Sequence, residues 1–297
     1  MPKPSLSEAE IVAAVQGMLP GAKTSLFPLA EGEECQAYGV NLTNRRLVVR
    51  VHPERRLFDK DLFAFERFSF TAVPVPEVLK IESVEGLWFC LTQFVEGETV
   101  QDASPATVEN LLDEMVDVMR AIWNVPAPGV GFGDFDPDGS APYVTWQDYL
   151  QAMAENHDWE LIANDLELPG FRGVLDRYLA LAAGCPEERV LVHGDSGSNN
   201  VLTDGKRITA VIDWGDGMYG DPLYDVATAR FWQQPPSFPV HWQHYRKVFA
   251  GLAGFEQRSL CYALHVGLGQ VQYHWRQGDR ERATWAGRRC LELLASR

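Results

Sequence analysis

The sequence is 297 residues long and 46% hydrophobic, enough for one large domain or two lobes, each with its own core. Its formal charge of −15 is concentrated in one stretch: residues 97–188 carry 3 Lys+Arg against 18 Asp+Glu, while residues 1–96 net −3 and residues 189–297 net +3. Such a field repels nucleic acid and anionic membranes and attracts cations, and no run of about 18 apolar residues spans a bilayer.

The first ten residues hold no apolar signal segment, and the five cysteines (Cys35, Cys90, Cys185, Cys261, Cys290) form no CxxC pair. Reduced, mostly buried thiols in a cytoplasmic protein are the expectation.

In chain order, residues 26–52 read as strands separated by turns, with Leu47–Val51 a short buried strand that carries Arg50. Helical spacing of Leu62, Phe65 and Phe68 predicts a helix over 58–70, stopped by Val73-Pro74-Val75-Pro76. Residues 87–95 form another apolar strand. A helix follows with Ser104 as N-cap and Pro105 at its first position; Val108, Leu111, Met115, Met119 and Ile122 line one face. Residues 125–142 are rich in turn formers, and helices resume at Trp146. Strands at 190–192 and 200–203 precede an Asp204-Gly205 turn and a strand over 208–212. From Asp221 onward the pattern is helical, with an interruption at 234–239. The order is β-rich first, then mainly helical with a late hairpin, an α+β architecture of two lobes, 1–96 and 97–297.

Chemistry concentrates in His193-Gly194-Asp195-Ser196-Gly197-Ser198-Asn199-Asn200, followed beyond the hairpin by Ile212-Asp213-Trp214-Gly215. Phosphoryl transfer needs a carboxylate to orient the attacking hydroxyl and oxygen ligands to hold Mg²⁺ on the phosphates. Asp195 suits the first role; Asn200, five residues on, and Asp213 suit the second. The hairpin gives this spacing a mechanical reason, since it folds Asp213 back toward Asn200. The H-x-D-x-x-x-x-N and D-W-G pattern is the counterpart of the protein-kinase H-R-D-x-x-x-x-N and D-F-G set. A loop rich in Asp, Asn, Ser and Gly between two strands is the bland alternative. All four polar positions at these offsets, flanked by apolar strands, make coincidence the weaker explanation.

On these residues the chain resembles the aminoglycoside phosphotransferase family, whose fold is protein-kinase-like. Further segments resemble the subgroup whose acceptor is hygromycin B, phosphorylated at the 4-hydroxyl: Glu31-Gly32-Glu33-Glu34, Pro74-Val75-Pro76-Glu77-Val78-Leu79, Gly131-Phe132-Gly133, Thr145-Trp146 and Arg207 to Trp214. The resemblance implies ATP or GTP as donor, Mg²⁺ and a cationic aminoglycoside acceptor; a monomer is expected in preference to an oligomer. It implies that residues 31–36 cover the phosphates, with Gly32 the sole glycine there. Arg50 occupies the strand position where kinases place a phosphate-binding Lys, and Asp61, with Glu66 as the alternative, is the helix acid paired with it. Gln93, Phe94 and Val95 match the hinge that meets the purine. Asn199, Asp216 and Trp232 fall to the acceptor, and His193 and Asp225 support the catalytic loop.

Two other functions fit less of the sequence. One is a kinase of another small acceptor, an amino alcohol or a sugar; a neutral or anionic acceptor would leave the acidic stretch without a purpose. A kinase-like binding module without activity has no use for an intact Asp195, Asn200 and Asp213.

Overall fold

The computed structural model describes residues 3–29, 32, 35–136, 138–155, 157–234 and 237–295. The chain forms two compact units. The first comprises residues 1–98 and 201–215, the second residues 99–200 and 216–297.

The first unit opens with α1 (Glu8–Met18), β1 (Ser25–Pro28), β2 (Gln36–Asn41), β3 (Arg46–His52), α2 (Arg56–Phe68), β4 (Val78–Val84) and β5 (Leu87–Gln93). The two-residue β6 (Glu98–Thr99) lies where the chain leaves it. In the second unit come α3 (Pro105–Trp123), β7 (Gly133–Asp134), α4 (Trp146–Glu155), α5 (Trp159–Asp165), α6 (Phe171–Ala182) and β8 (Val190–Val192). The hairpin β9 (Val201–Thr203) and β10 (Ile208–Val211) belongs to the first unit. The remainder is β11 (Met218–Gly220), α7 (Leu223–Phe231), α8 (Ser237–Phe249), α9 (Phe255–Arg276) and α10 (Arg280–Ala295).

The first unit is built on an antiparallel sheet in the order β1-β2-β3-β5-β4. Ile11, Ala14, Val15 and Met18 of α1 pack on its apolar face against Val40, Leu47, Val49, Val51, Phe89 and Leu91. The alternation within β3 explains this: Leu47, Val49 and Val51 point to that core, which leaves Val48 and Arg50 on the opposite face. Gly39 of β2 lies opposite Phe27, whose ring occupies the space a Cβ would fill, 2.0 Å away.

The second unit is mainly helical. Ser104 caps α3 by accepting from Thr107 N at 3.2 Å, and the five predicted apolar positions of that helix are buried. A three-stranded sheet, β7-β11-β8, places Met218 between Asp134 and Val192. Arg189 ties down the turn-rich stretch before it, donating to Gly131 O at 2.6 Å and to Ala127 O and Pro128 O at 2.9 Å.

Some elements differ from expectation. The strand-rich beginning is preceded by α1, whose short apolar set (Ile11, Ala14, Val15, Met18) is capped by a Ser7–Glu10 capping box. The helical region is interrupted over a shorter stretch than 234–239, because α8 starts at Ser237. Pro239 sits in its first turn, where a missing N–H breaks no intrahelical bond.

Candidate active site

Residues 193–200, expected to form the catalytic loop, belong to the second unit. The chain leaves β8 through His193, turns at Gly194 with φ +83, and closes in a 3-10 turn over Ser198–Asn200. Asp225, buried in α7, fixes the start of this loop. Its carboxylate accepts His193 N at 3.1 Å, Gly194 N at 3.0 Å and the Trp123 indole N–H at 3.3 Å. Its main-chain oxygen accepts the Ser196 hydroxyl at 2.7 Å. Burial pushes the Asp225 carboxyl above the ordinary carboxylate value, against the pull of His193 and the two amides.

Asp195 is half-buried, and Asn200 is buried beside it. The Asn200 amide donates to Asp195 Oδ2 at 2.8 Å and to Asp195 O at 2.9 Å. Both amide hydrogens are thereby engaged, so the group Asn200 can offer a cation is its oxygen. The far side of the loop is pinned by Ser198, whose hydroxyl meets that of Ser237 at 2.9 Å, and by Gln101 N, which donates to Ser198 O at 3.1 Å. Asn199, half-buried, lies against Gly197: a Cβ on that glycine would fall 2.1 Å from Asn199 Oδ1.

Gly194 decides where Asp216 sits. A Cβ at Gly194 would stand 2.0 Å from Asp216 O, so only glycine allows this approach as well as the positive φ. Asp216 is exposed, and with Asp134 it surrounds Tyr149 by negative charge. Burial, reinforced by those two acids, pushes the Tyr149 phenol up and keeps it protonated. Trp232 ends α7 in extended backbone, half-buried, with its ring stacked on Trp285 at 5.4 Å.

Within the first unit, Arg50 forms an ion pair with Asp61 of α2 and lies 3.4 Å from Asp213 Oδ1. Glu66, one turn further along α2, is exposed. Burial works against the Arg50 charge, but Asp61 and Asp213 outweigh it and hold the guanidinium above its ordinary value. Burial also pushes the Asp61 carboxyl upward, opposed by Arg50. Asp61 additionally accepts Trp214 N at 3.2 Å, while Lys60, also buried, donates to Gly215 O at 2.8 Å. Trp214 stacks on Phe68 at 5.2 Å. Helix α2 therefore grips the chain on the C-terminal side of Asp213. Asp213 itself is exposed and adopts φ +62, a left-handed conformation that Asp tolerates better than most residues.

Gln93 closes β5, with its amide donating to Glu77 O at 2.8 Å, and Phe94 N donates to Arg46 O at 3.3 Å. The Phe94 ring lies beneath the Arg46 guanidinium, 4.4 Å from its centroid, and meets Phe27 edge-on at 5.5 Å. Val95 is half-buried. Of the loop expected to cover the phosphates, Glu31, Glu33 and Glu34 lie outside the described residues.

Sequence reasoning passed over Lys60, Gly194 and Trp285. Lys60 reads as one charge among several on a surface helix. Gly194 was a filler position within the motif. Trp285 lies in a helix far along the chain from every motif residue, so no local signal marks it.

The family model described as "Phosphotransferase enzyme family" matches residues 26–259. The chain belongs to that family. As a phosphotransferase it is 36% identical over 278 residues to the hygromycin-B 4-O-kinase of Escherichia coli, an alignment that covers 92% of this chain and 81% of the relative. The crystal structure of aminoglycoside phosphotransferase APH(4)-Ia superposes with a TM-score of 0.89 at 33% identity, covering 98% of this chain and 99% of that one. A thermostable mutant of the same enzyme, in ternary complex with AMP-PNP and hygromycin B, gives 0.87 at 35% identity over 96% and 97% of the two chains. The GDP and kanamycin complex of a 2″-aminoglycoside phosphotransferase shares the fold, with a TM-score of 0.73 at 15% identity. The expected protein-kinase-like fold and the resemblance to aminoglycoside phosphotransferases both hold. No helix among the described residues is long and apolar enough to cross a membrane.

Proposed function

We propose that this phosphotransferase moves the γ-phosphate of ATP to a hydroxyl of hygromycin B, at the 4-position, and so inactivates the antibiotic in the cytoplasm. The acceptor assignment is carried by the 36% identity to hygromycin-B 4-O-kinase across 92% of the chain. The acidic stretch of residues 97–188 supports it, because aminoglycosides are polycations. The protein works as a monomer on soluble partners, without nucleic acid or membrane. Residues 1–96 carry the nucleotide functions, and residues 97–297 the catalytic and acceptor functions.

Asp195 orients the acceptor hydroxyl and takes its proton as the oxygen attacks phosphorus. Its carboxylate is held by Asn200 at 2.8 Å, which keeps it aimed without protonating it. Asp225 and His193 keep the loop in place. Asn200, through its oxygen, and Asp213, through its exposed carboxylate, fit Mg²⁺, which favours a few hard oxygen ligands and retains waters. When bound, Mg²⁺ neutralises charge on the phosphates. Arg50, fixed by Asp61, binds phosphate oxygens, and Gln93, Phe94 and Val95 border the purine. Since the amides of Gln93 and Phe94 are already committed within the sheet, Val95 and the main-chain carbonyls are left to meet the base edge. Asn199, Asp216 and Trp232 face the acceptor.

The test is to incubate the purified protein with Mg²⁺ and γ-labelled ATP or GTP. Acceptors are hygromycin B, kanamycin, choline and simple sugars. Transfer to hygromycin B alone or foremost, with the phosphate located at the 4-hydroxyl by NMR, is the expected result. Preferential transfer to choline or a sugar would replace the acceptor. No transfer to any acceptor, with nucleotide still bound, would favour a binding module.

A further inference from the structure

We propose that Trp285, on the last helix, is a specificity-determining residue: with Trp232 it forms a two-tryptophan platform that receives one ring of the aminoglycoside. This rests on the acceptor reading above and adds a residue from an element that carries none of the motif.

The two indoles are nearly parallel, 18° apart with centroids 5.4 Å apart. Trp285 is 39% exposed and Trp232 half-buried, so the stack lies at the surface of the second unit and is not sealed in its core. Phe231 braces it from below, fully buried, with edge contacts to Trp232 at 5.1 Å and Trp285 at 5.6 Å. One helical turn beyond Trp285, Arg289 donates to Phe231 O at 2.8 Å and Arg230 O at 2.9 Å, the last carbonyls of α7. A cation that caps a helix C-terminus in this way locks α10 to the end of α7 and fixes Trp285 over Trp232. Of the positive charges beside it, Arg289 pairs with Glu292 at 3.3 Å, and Arg230 with Glu256 at 3.3 Å.

The platform is tied to the catalytic loop by a short chain of contacts. Trp232 faces Phe238 at 6.4 Å, and Phe238 packs on Gly197, where a Cβ would come within 3.0 Å of its ring. Ser237, beside Phe238, meets Ser198. Gly197 and Ser198 lie within the loop that carries Asp195 and Asn200. A ring seated on the two indoles would therefore be held at a set displacement from Asp195. Indole faces attract both the C–H faces of saturated rings and ammonium groups, and an aminoglycoside ring presents both.

The experiment compares the parent protein with Trp285→Ala and Trp285→Phe, measuring KM and kcat for hygromycin B and ATP. Calorimetric titration with hygromycin B gives Kd without turnover. Trp285→Ala should raise KM and Kd for hygromycin B about fivefold to tenfold, the size of one lost aromatic contact. The kcat change should stay under twofold, ATP KM should hold, and Trp285→Phe should recover most of the loss. Unchanged Kd and KM in Trp285→Ala would overturn the proposal. So would a parallel loss in kcat and in affinity for both substrates, because that pattern marks a structural role. If the parent protein binds and phosphorylates no aminoglycoside at all, the acceptor reading itself has failed, an outcome separable from any effect of Trp285.

Discussion

The Asp61 carboxylate accepts the main-chain amide of Trp214 at 3.2 Å, so an acid on α2 holds the residue that follows Asp213. The same carboxylate pairs with Arg50. One side chain thus fixes both the proposed phosphate-binding arginine and the backbone of a proposed metal ligand. Removing one partner of a buried pair leaves an uncompensated charge, which costs about 3–5 kcal/mol. Asp61→Ala should lie near the low end, because Arg50 keeps some solvent contact, and KM for ATP should rise. Urea unfolding measures the first effect. A loss below about 0.5 kcal/mol would class the pair with surface ion pairs.

Asp195→Ala should reduce kcat at least a hundredfold while ATP affinity stays within about twofold, since positioned bases contribute 10²–10⁴-fold. Steady-state kinetics and a nucleotide titration separate the two. Retention of more than about a tenth of kcat would assign the proton transfer to another group.

Gly194→Ala introduces a Cβ 2.0 Å from Asp216 O at a residue whose φ is +83. The left-handed conformation alone costs about 1–2 kcal/mol for a residue with a side chain. The Asp216 segment must then move away from the catalytic loop. The expected result is a lower melting temperature, with KM for the acceptor raised more than KM for ATP. An equal rise in both would separate Asp216 from the acceptor.

His265 is buried in α9 and its imidazole is pushed down to about 3 by burial. It meets the Tyr178 hydroxyl at 2.7 Å, and that hydroxyl gives its own proton to Leu150 O at 2.6 Å. Nδ1–H is therefore the donor to Tyr178. His241, also buried, is pushed down to about 4. Both folded values lie below an unfolded value of about 6.5, so the unfolded chain binds the extra protons. The stability these groups contribute is complete above pH 6.5 and drains as pH falls toward 4 and then 3. His265→Gln should flatten the loss between about pH 6 and 4, where one such group contributes roughly 1.4 kcal/mol per pH unit. Urea unfolding across that range gives the slope; an unchanged slope would remove His265 as a source.

The acidic stretch predicts a salt response. Exposed charges are screened over about 10 Å at 0.1 M salt. KM for hygromycin B should rise steeply between about 0.05 and 0.3 M NaCl while KM for ATP changes little. A flat profile would mark those carboxylates as an ordinary solvated surface with no part in acceptor binding.

What could be read from the sequence was whatever repeats a local pattern. The Asp195–Asn200 spacing, the Ser104 cap with its apolar face, and the Asp204–Gly205 turn are all set by neighbours within a few residues. The family resemblance put Asp61 ahead of Glu66, but both sit on α2, and it is packing that turns Asp61 to Arg50 and leaves Glu66 exposed. The beginning of α8 was misplaced because two prolines precede it and a third lies within it, and proline reads as interruption although the first turn accepts it. The contact between Gly194 and Asp216 spans 22 residues and has no sequence signature. Trp285 could not be distinguished from a core aromatic until its exposure and its partner were known.

The first unit is assembled from residues 1–98 and 201–215, and this imposes an order on its biogenesis. When the sheet and α2 leave the ribosome, the amide that Asp61 accepts and the carbonyl that Lys60 reaches have not yet been synthesised. At translation rates of about 5–20 residues per second, the wait is on the order of ten seconds. During it, Phe68 lacks the indole that later covers it. The nascent first unit must therefore wait, incomplete and with an apolar face open, until Trp214 arrives. That interval is where a chaperone would find its binding surface, and where a truncated transcript would yield a chain unable to finish either unit.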